Sequence, residues 1–125
     1  MKVKNIKIEI KPIDEFFKEA AIAMEKISKG EKVTPQRKLG FHDINTFRNF
    51  FTPKRLELLS VIKRKKPKSI YELAKVVNRD LKSVNTDVKI LHDHDLLELN
   101  KQKHKNRVRV VPTFDFDKLV VEMDI

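Results

Sequence analysis

The spacing of apolar positions changes along the chain, and each spacing predicts a different element. Over residues 3–11, Ile6, Ile8 and Ile10 alternate with Lys7, Glu9 and Lys11, the period of a half-buried strand. The spacing then lengthens. Phe16, Phe17, Ala20, Ala21, Met24 and Ile27 mark one side of a helix that Asp14 can cap, running to about Lys29 with Gly30 as its stop signal. Residues 31–42 hold Pro35, Gly40 and mixed charges and read as a loop. Asp43 opens a short helix that carries Phe47, Phe50 and Phe51 inward.

The central segment is richer in local signals. Thr52-Pro53 offers an N-cap hydroxyl followed by proline at the first helical position, and Leu56, Leu59 and Ile62 share a face before Pro67 ends the run. Ser69-Ile70-Tyr71-Glu72 forms a capping box, in which serine takes one backbone N–H while glutamate reaches back for another. Ile70, Leu73, Ala74 and Val77 are the expected buried stripe of that second helix. After Asn78-Arg79, Asp80 caps a third helix with Leu81, Val84, Val88 and Leu91 as its core stripe, and Asp95 breaks it. Leu96 to Asn100 and Val108 to Val111 read as short strands joined by the basic stretch from Lys101 to Arg107. Three helices and a basic hairpin, in that order, are the arrangement of a winged helix-turn-helix. The expected fold class is therefore mainly α with a small β-hairpin wing (α+β), with short strand and helix extensions at the termini. The expected divisions are 1–51 as an N-terminal, dimerisation-type extension, 52–112 as the winged helix-turn-helix, and 113–125 as a C-terminal strand. That last strand, with residues 3–11, completes a small sheet, within one chain or across a dimer.

A helix that reads DNA buries one stripe and presents polar side chains on the other. In the third helix Lys82, Asn85, Thr86 and Lys89 fall at i, i+3, i+4 and i+7, so they share the face opposite the core stripe. Ser83 lies beside them. Asparagine pairs bidentately with adenine, threonine meets a thymine methyl, and lysine serves guanine or phosphate. The plain alternative is an ordinary solvated face. In the wing, Lys101, Lys103, Lys105, Arg107 and Arg109 are candidates for phosphate or minor-groove contact, against a loop whose charge only protects a strand edge. Ser69 and Tyr71, at the start of the second helix, can hydrogen-bond phosphate. The run Lys63 to Lys66 with Lys68 reads first as a solvated helix end.

Charge distribution sharpens this picture. The 125 residues carry a net charge of +10. Residues 53–111 hold 16 Lys/Arg against 7 Asp/Glu, whereas residues 112–125 hold 1 against 4. A lysine-rich surface of the thermophile kind accounts for many lysines but not for their concentration in one segment, which suits a polyanion partner. Cysteine is absent, which removes disulfides and thiolate metal ligands and points to a cytoplasmic protein. No apolar run is long enough to span a membrane, and no secretory signal is visible.

The residues Pro67-Lys68-Ser69-Ile70-Tyr71-Glu72-Leu73-Ala74, followed by Arg79-Asp80, Val84, Asp87, Leu91 and Leu96, resemble a group of archaeal and bacterial MarR-like winged-helix regulators. Phe41 to Phe51 and Thr52-Pro53-Lys54-Arg55-Leu56 are similar to that group as well, so the resemblance covers roughly residues 41–111. It implies double-stranded DNA binding, a homodimer and transcriptional regulation, with an antitoxin-like role as a variant. It supplies neither operator nor effector ligand. Where the group usually has glycine, this chain has Asp95, so a left-handed turn with some strain is expected there.

Nothing in the sequence marks a catalytic centre. The two glycines, Gly30 and Gly40, form no phosphate-cradling loop, no nucleophile sits in a recognisable motif, and no cofactor motif is visible. His92-Asp93-His94-Asp95 is the one cluster with metal-ligand side chains, but residues two apart on a helix do not share a face. No metal site is expected. The rival functions are a winged helix that contacts protein and a nucleic-acid binder without sequence preference.

Overall fold

The computed structural model describes residues 4–33 and 38–125. Among them lie five helices and five strands, divided between two compact units, residues 51–115 and residues 1–50 with 116–125. The structure is a mixed one of helices and strands, compatible with the expected α+β class, with more strand than a hairpin wing alone. The added β structure is a parallel sheet, whose strands come from distant stretches of chain and leave no local pairing signal.

In the first unit, β1 (Asn5–Ile10) is the central strand, flanked in parallel by β2 (Lys38–Phe41) and β5 (Lys118–Met123). The C-terminal strand thus joins the N-terminal one inside a single chain, with Ile8 opposite both Leu39 and Val121. Ile6, Ile8 and Ile10 are buried as their alternation requires. The opposite face of β1 is less open than a half-buried strand suggests, because Glu9 and Lys11 are also buried. Lys11 Nζ lies 3.0 Å from Glu9 Oε2 and bonds Glu19 as well, while Lys38 Nζ lies 3.4 Å from Glu9 Oε1. Burial alone would raise the Glu9 pKa and lower that of Lys11. Their ion pairs outweigh it, so Glu9 titrates below and Lys11 above the ordinary value.

The expected loop over residues 31–42 is corrected at its end, where residues 38–41 form β2; Thr34 to Arg37 lie outside the described residues, as does Val3 of the expected first strand. Gly40 made the stretch look like a turn, yet here it serves close packing. A Cβ on it would come within 2.6 Å of the Phe16 ring. That ring belongs to α1 (Ile13–Ser28), whose N-cap is Pro12 rather than Asp14. Asp14 and Glu15 sit in its first turn, where negative charge suits the helix dipole. Gly30, at φ 77°, closes the helix as expected. No residue of α1 is buried. In α2 (Ile44–Phe50), Asp43 accepts the Thr46 backbone N–H at 2.7 Å, and Phe47 and Phe50 pack on Phe41 with ring centroids 5.7 and 5.5 Å apart.

The second unit comprises α3 (Pro53–Lys65), α4 (Ile70–Val77), α5 (Leu81–Asp93) and the antiparallel hairpin of β3 (Glu98–His104) and β4 (Arg107–Thr113). Its core is drawn from Leu58, Leu59, Ile62, Leu73, Val84, Val88, Leu91, Leu96 and Leu97. Three expected core positions are corrected: Leu56 and Leu81 are exposed and Val77 is only half-buried. On α3, Leu58 and Val61 take up the burial instead, since a helix covered on two sides hides more than one stripe. Among the described residues, no helix is long and apolar enough to cross a membrane.

Candidate nucleic-acid interface

Local caps set the three helices of the second unit. Thr52 Oγ1 accepts the Arg55 N–H at 3.2 Å, with Pro53 opening α3. Ser69 Oγ accepts the Glu72 N–H at 2.9 Å. The Glu72 carboxylate reaches back as a capping box predicts, but to the N–H of Lys68, one residue before the cap, at 3.1 Å. Asn78, left-handed at φ 56°, ends α4, and Asp80 starts α5 two residues later. The Ser83 backbone N–H donates to Asp80 Oδ2 at 2.9 Å and its hydroxyl to Oδ1 at 2.8 Å; these bonds hold the Asp80 carboxyl below its ordinary pKa. At the far end Asp95 adopts φ 62°, and the Leu96 N–H reaches the Leu91 carbonyl at 3.0 Å. The expected left-handed turn therefore forms with aspartate in place of glycine.

On α5 the buried stripe is Val84, Val88 and Leu91, and Lys82, Asn85, Thr86 and Lys89 are exposed. Two of the hydroxyls on this helix are committed locally. Ser83 bonds Asp80, and Thr86 Oγ1 donates to the Lys82 carbonyl at 3.0 Å. Each keeps an acceptor lone pair, but neither has its proton to offer in this arrangement.

The hairpin departs from its expected shape. A long basic loop is corrected to strands that continue to His104 and restart at Arg107, leaving only Lys105-Asn106 as the turn. Both turn residues have positive φ, 49° and 65°, the conformation that matches the twist of a two-residue hairpin. Strand alternation then divides the charge. Lys101 and Lys103 share a face with their cross-strand partners Val110 and Val108, while Arg107 and Arg109 stand on the other with His104 and Gln102.

Six of the expected site residues meet around one groove of about 960 Å³: Ser69 and Tyr71 from α4, Asn85 from α5, and Lys105, Arg107 and Arg109 from the hairpin. Lys82, Ser83, Thr86 and Lys89 lie on α5 outside this lining, and Lys101 is exposed on β3. Lys103 borders a smaller depression with Lys66, Lys68 and Gln102. The sequence reading missed Lys75 and His104, which also line the main groove. Lys75 was within reach of it, because its ammonium lies 4.5 Å over the Tyr71 ring and the pair is spaced i, i+4. Also missed was the Arg55–Asp87–Arg79 cluster, in which one carboxylate accepts from Arg55 Nε at 3.0 Å and Arg79 Nη2 at 2.7 Å.

The histidine-rich end of α5 is tied up in its own helix. His94 Nδ1 lies 2.8 Å from the Ile90 carbonyl, and His92 Nδ1 is 3.4 Å from Asp93. Among the described residues, no three acidic or histidine side chains gather as metal ligands would.

Residues 50–121 match the model of the HVO_A0114 family. The chain belongs to that family. The HVO_A0114 match takes in the whole second unit and continues into β5. Neither a curated protein nor a solved structure matches the chain.

Proposed function

We propose that residues 51–115 are a winged helix-turn-helix of the MarR-like kind that binds double-stranded DNA sequence-specifically and regulates transcription. In this reading α5 enters the major groove, and the basic hairpin lies along the backbone or minor groove. The observation that carries it is the position of Asn85. It is exposed on the polar side of α5, and the groove beside it is walled by Arg107 and Arg109 and by the N-terminal end of α4. A base-reading side chain flanked by phosphate-seeking cations is the division of labour that specific DNA binding requires. The concentration of positive charge in residues 53–111 supports the same partner. Two copies of α5 in a homodimer would occupy successive major grooves about 34 Å apart.

Protein contact is the second reading, and it has an observation of its own. Tyr71, Leu81 and Val108 are large, exposed and all line the same groove, as a protein-binding surface would have them.

Selection of bound duplexes from a random pool at near-physiological salt separates these readings. An enriched inverted repeat is the expected result, and its half-site spacing checks the geometry. Binding without enrichment replaces sequence recognition by general polyanion binding. Absence of binding favours the protein partner.

A further inference from the structure

We propose that α1 is a dimerisation element, through which two copies of this chain pair antiparallel and cross at Ala20. The inward side of α1 is narrow. Phe16 leans over Gly40, Glu19 bonds Lys11, and Ala23 is half-buried. A different stripe carries the large apolar side chains, and it is open: Ile13, Phe17, Met24 and Ile27 are 58%, 67%, 70% and 62% exposed. With Ala20 they occur at intervals of four, three, four and three residues, the alternation of a coiled-coil seam. A sixteen-residue helix with no buried residue draws little stability from propensity alone and depends on packing of its apolar face.

The occupant is identified by symmetry and charge. The seam reads almost the same in both directions about Ala20, so an antiparallel copy would set Ile13 beside the partner's Ile27 and Phe17 beside the partner's Met24. The small side chain at the centre lets the helices approach where they cross. Residues 13–20 contain three acids and one lysine, whereas residues 21–29 contain one acid and two lysines. Antiparallel pairing brings the acidic end of one helix to the basic end of the other and opposes the helix dipoles. Parallel pairing would stack like upon like. The two-fold arrangement also closes on itself, leaving no open stripe to propagate.

The pairing bears on the two-copy arrangement proposed above but does not depend on DNA binding. The test is therefore made without DNA, on the full chain at high-micromolar concentration, by sedimentation velocity. The expected result is a dimer that Phe17→Lys with Met24→Lys converts to monomer. Far-ultraviolet circular dichroism should lose no more helix than the sixteen residues of α1, which tells dissociation from unfolding of the chain. Orientation is read by cross-linking single cysteines with a short bismaleimide, in a chain with no cysteine of its own. Ala20→Cys should link two copies efficiently. Ile27→Cys should not, because seven residues from the crossing in each helix separate the two thiols by about 21 Å along the axis. A monomeric wild type overturns the proposal and leaves the α5 reading standing. So does a dimer that survives both lysines but dissociates on Val120→Pro, which would place the contact at the β5 edge. Equal cross-linking at residues 20 and 27 would mean parallel helices and overturns it too.

Discussion

The Asp87 carboxylate accepts a hydrogen bond from Arg79 Nη2 at 2.7 Å, tying the middle of α5 to the turn that precedes it. The same carboxylate accepts from Arg55 Nε in the first turn of α3. Two helices and the turn between α4 and α5 are thus fixed through one acid that is only 13% exposed. The arrangement is not fully satisfied: Arg79 Nη1 is buried without a hydrogen-bond partner among the described residues. Asp87→Ala would remove the carboxylate that the Arg55 and Arg79 guanidinium groups share in a poorly hydrated place. The expected cost is about 3 kcal/mol, measured by urea denaturation, with looser DNA binding following from a less firmly held α5.

At Asn85 the expected change is in discrimination. Asn85→Ala should lower affinity for the selected duplex by about 1–3 kcal/mol while barely changing affinity for unrelated DNA. Fluorescence anisotropy on both duplexes checks this. A preserved ratio between them would remove Asn85 as a base reader.

Lys103 should behave differently. It stands on the hairpin face of Lys101, beside a depression that also holds Lys66 and Lys68, and in the proposed complex it would meet phosphate rather than a base edge. Lys103→Ala should weaken all duplexes alike and reduce the slope of log affinity against log salt by about 1. Titrations at several salt concentrations decide it.

Glu9 makes the stability of the first unit pH-dependent. Its folded pKa is lowered, because its bonds to Lys11 and Lys38 more than offset the cost of burial. The stabilisation is complete above the unfolded value and is lost as pH falls through the lower folded value. Glu9→Gln should therefore destabilise the first unit near neutrality by about 1.5 kcal/mol, since Lys11 keeps Glu19, and the gap to wild type should narrow in acid. Thermal melts of both proteins from neutral to strongly acidic pH test the sign.

The helices of the second unit were legible because their determinants are local. Thr52, Ser69 and Asp80 each bond a backbone N–H three residues ahead, so sequence spacing contains the geometry. The left-handed turn at Asp95 was expected on other grounds, from the glycine that the resembling group has there. The remaining elements are set at a distance. Residues 38–41 become a strand only because β1 lies alongside, and Gly40 is accounted for by a ring more than twenty residues away. The hairpin turn was hidden by its composition, since Lys105 lacks the usual glycine or asparagine signal for positive φ. The exposed polar face of α5 was legible from helical spacing, but the groove was not, since of that face only Asn85 lines it, and neither was the division of hairpin charge, which depends on where the turn falls. The role of Asp87 depended on arginines from two other segments, which spacing along one helix does not reveal.

The placement of β5 beside β1 has a consequence for the order of biosynthesis. Residues 51–115 leave the ribosome before the strand that completes the sheet around residues 5–10. The second unit can therefore fold while the earlier-made segment still waits with one edge of its central strand open, reversing the usual N-terminal-first sequence. During that interval β1 is exposed to wrong partners, and a chaperone that holds extended apolar segments would be needed most by the part of the protein made first.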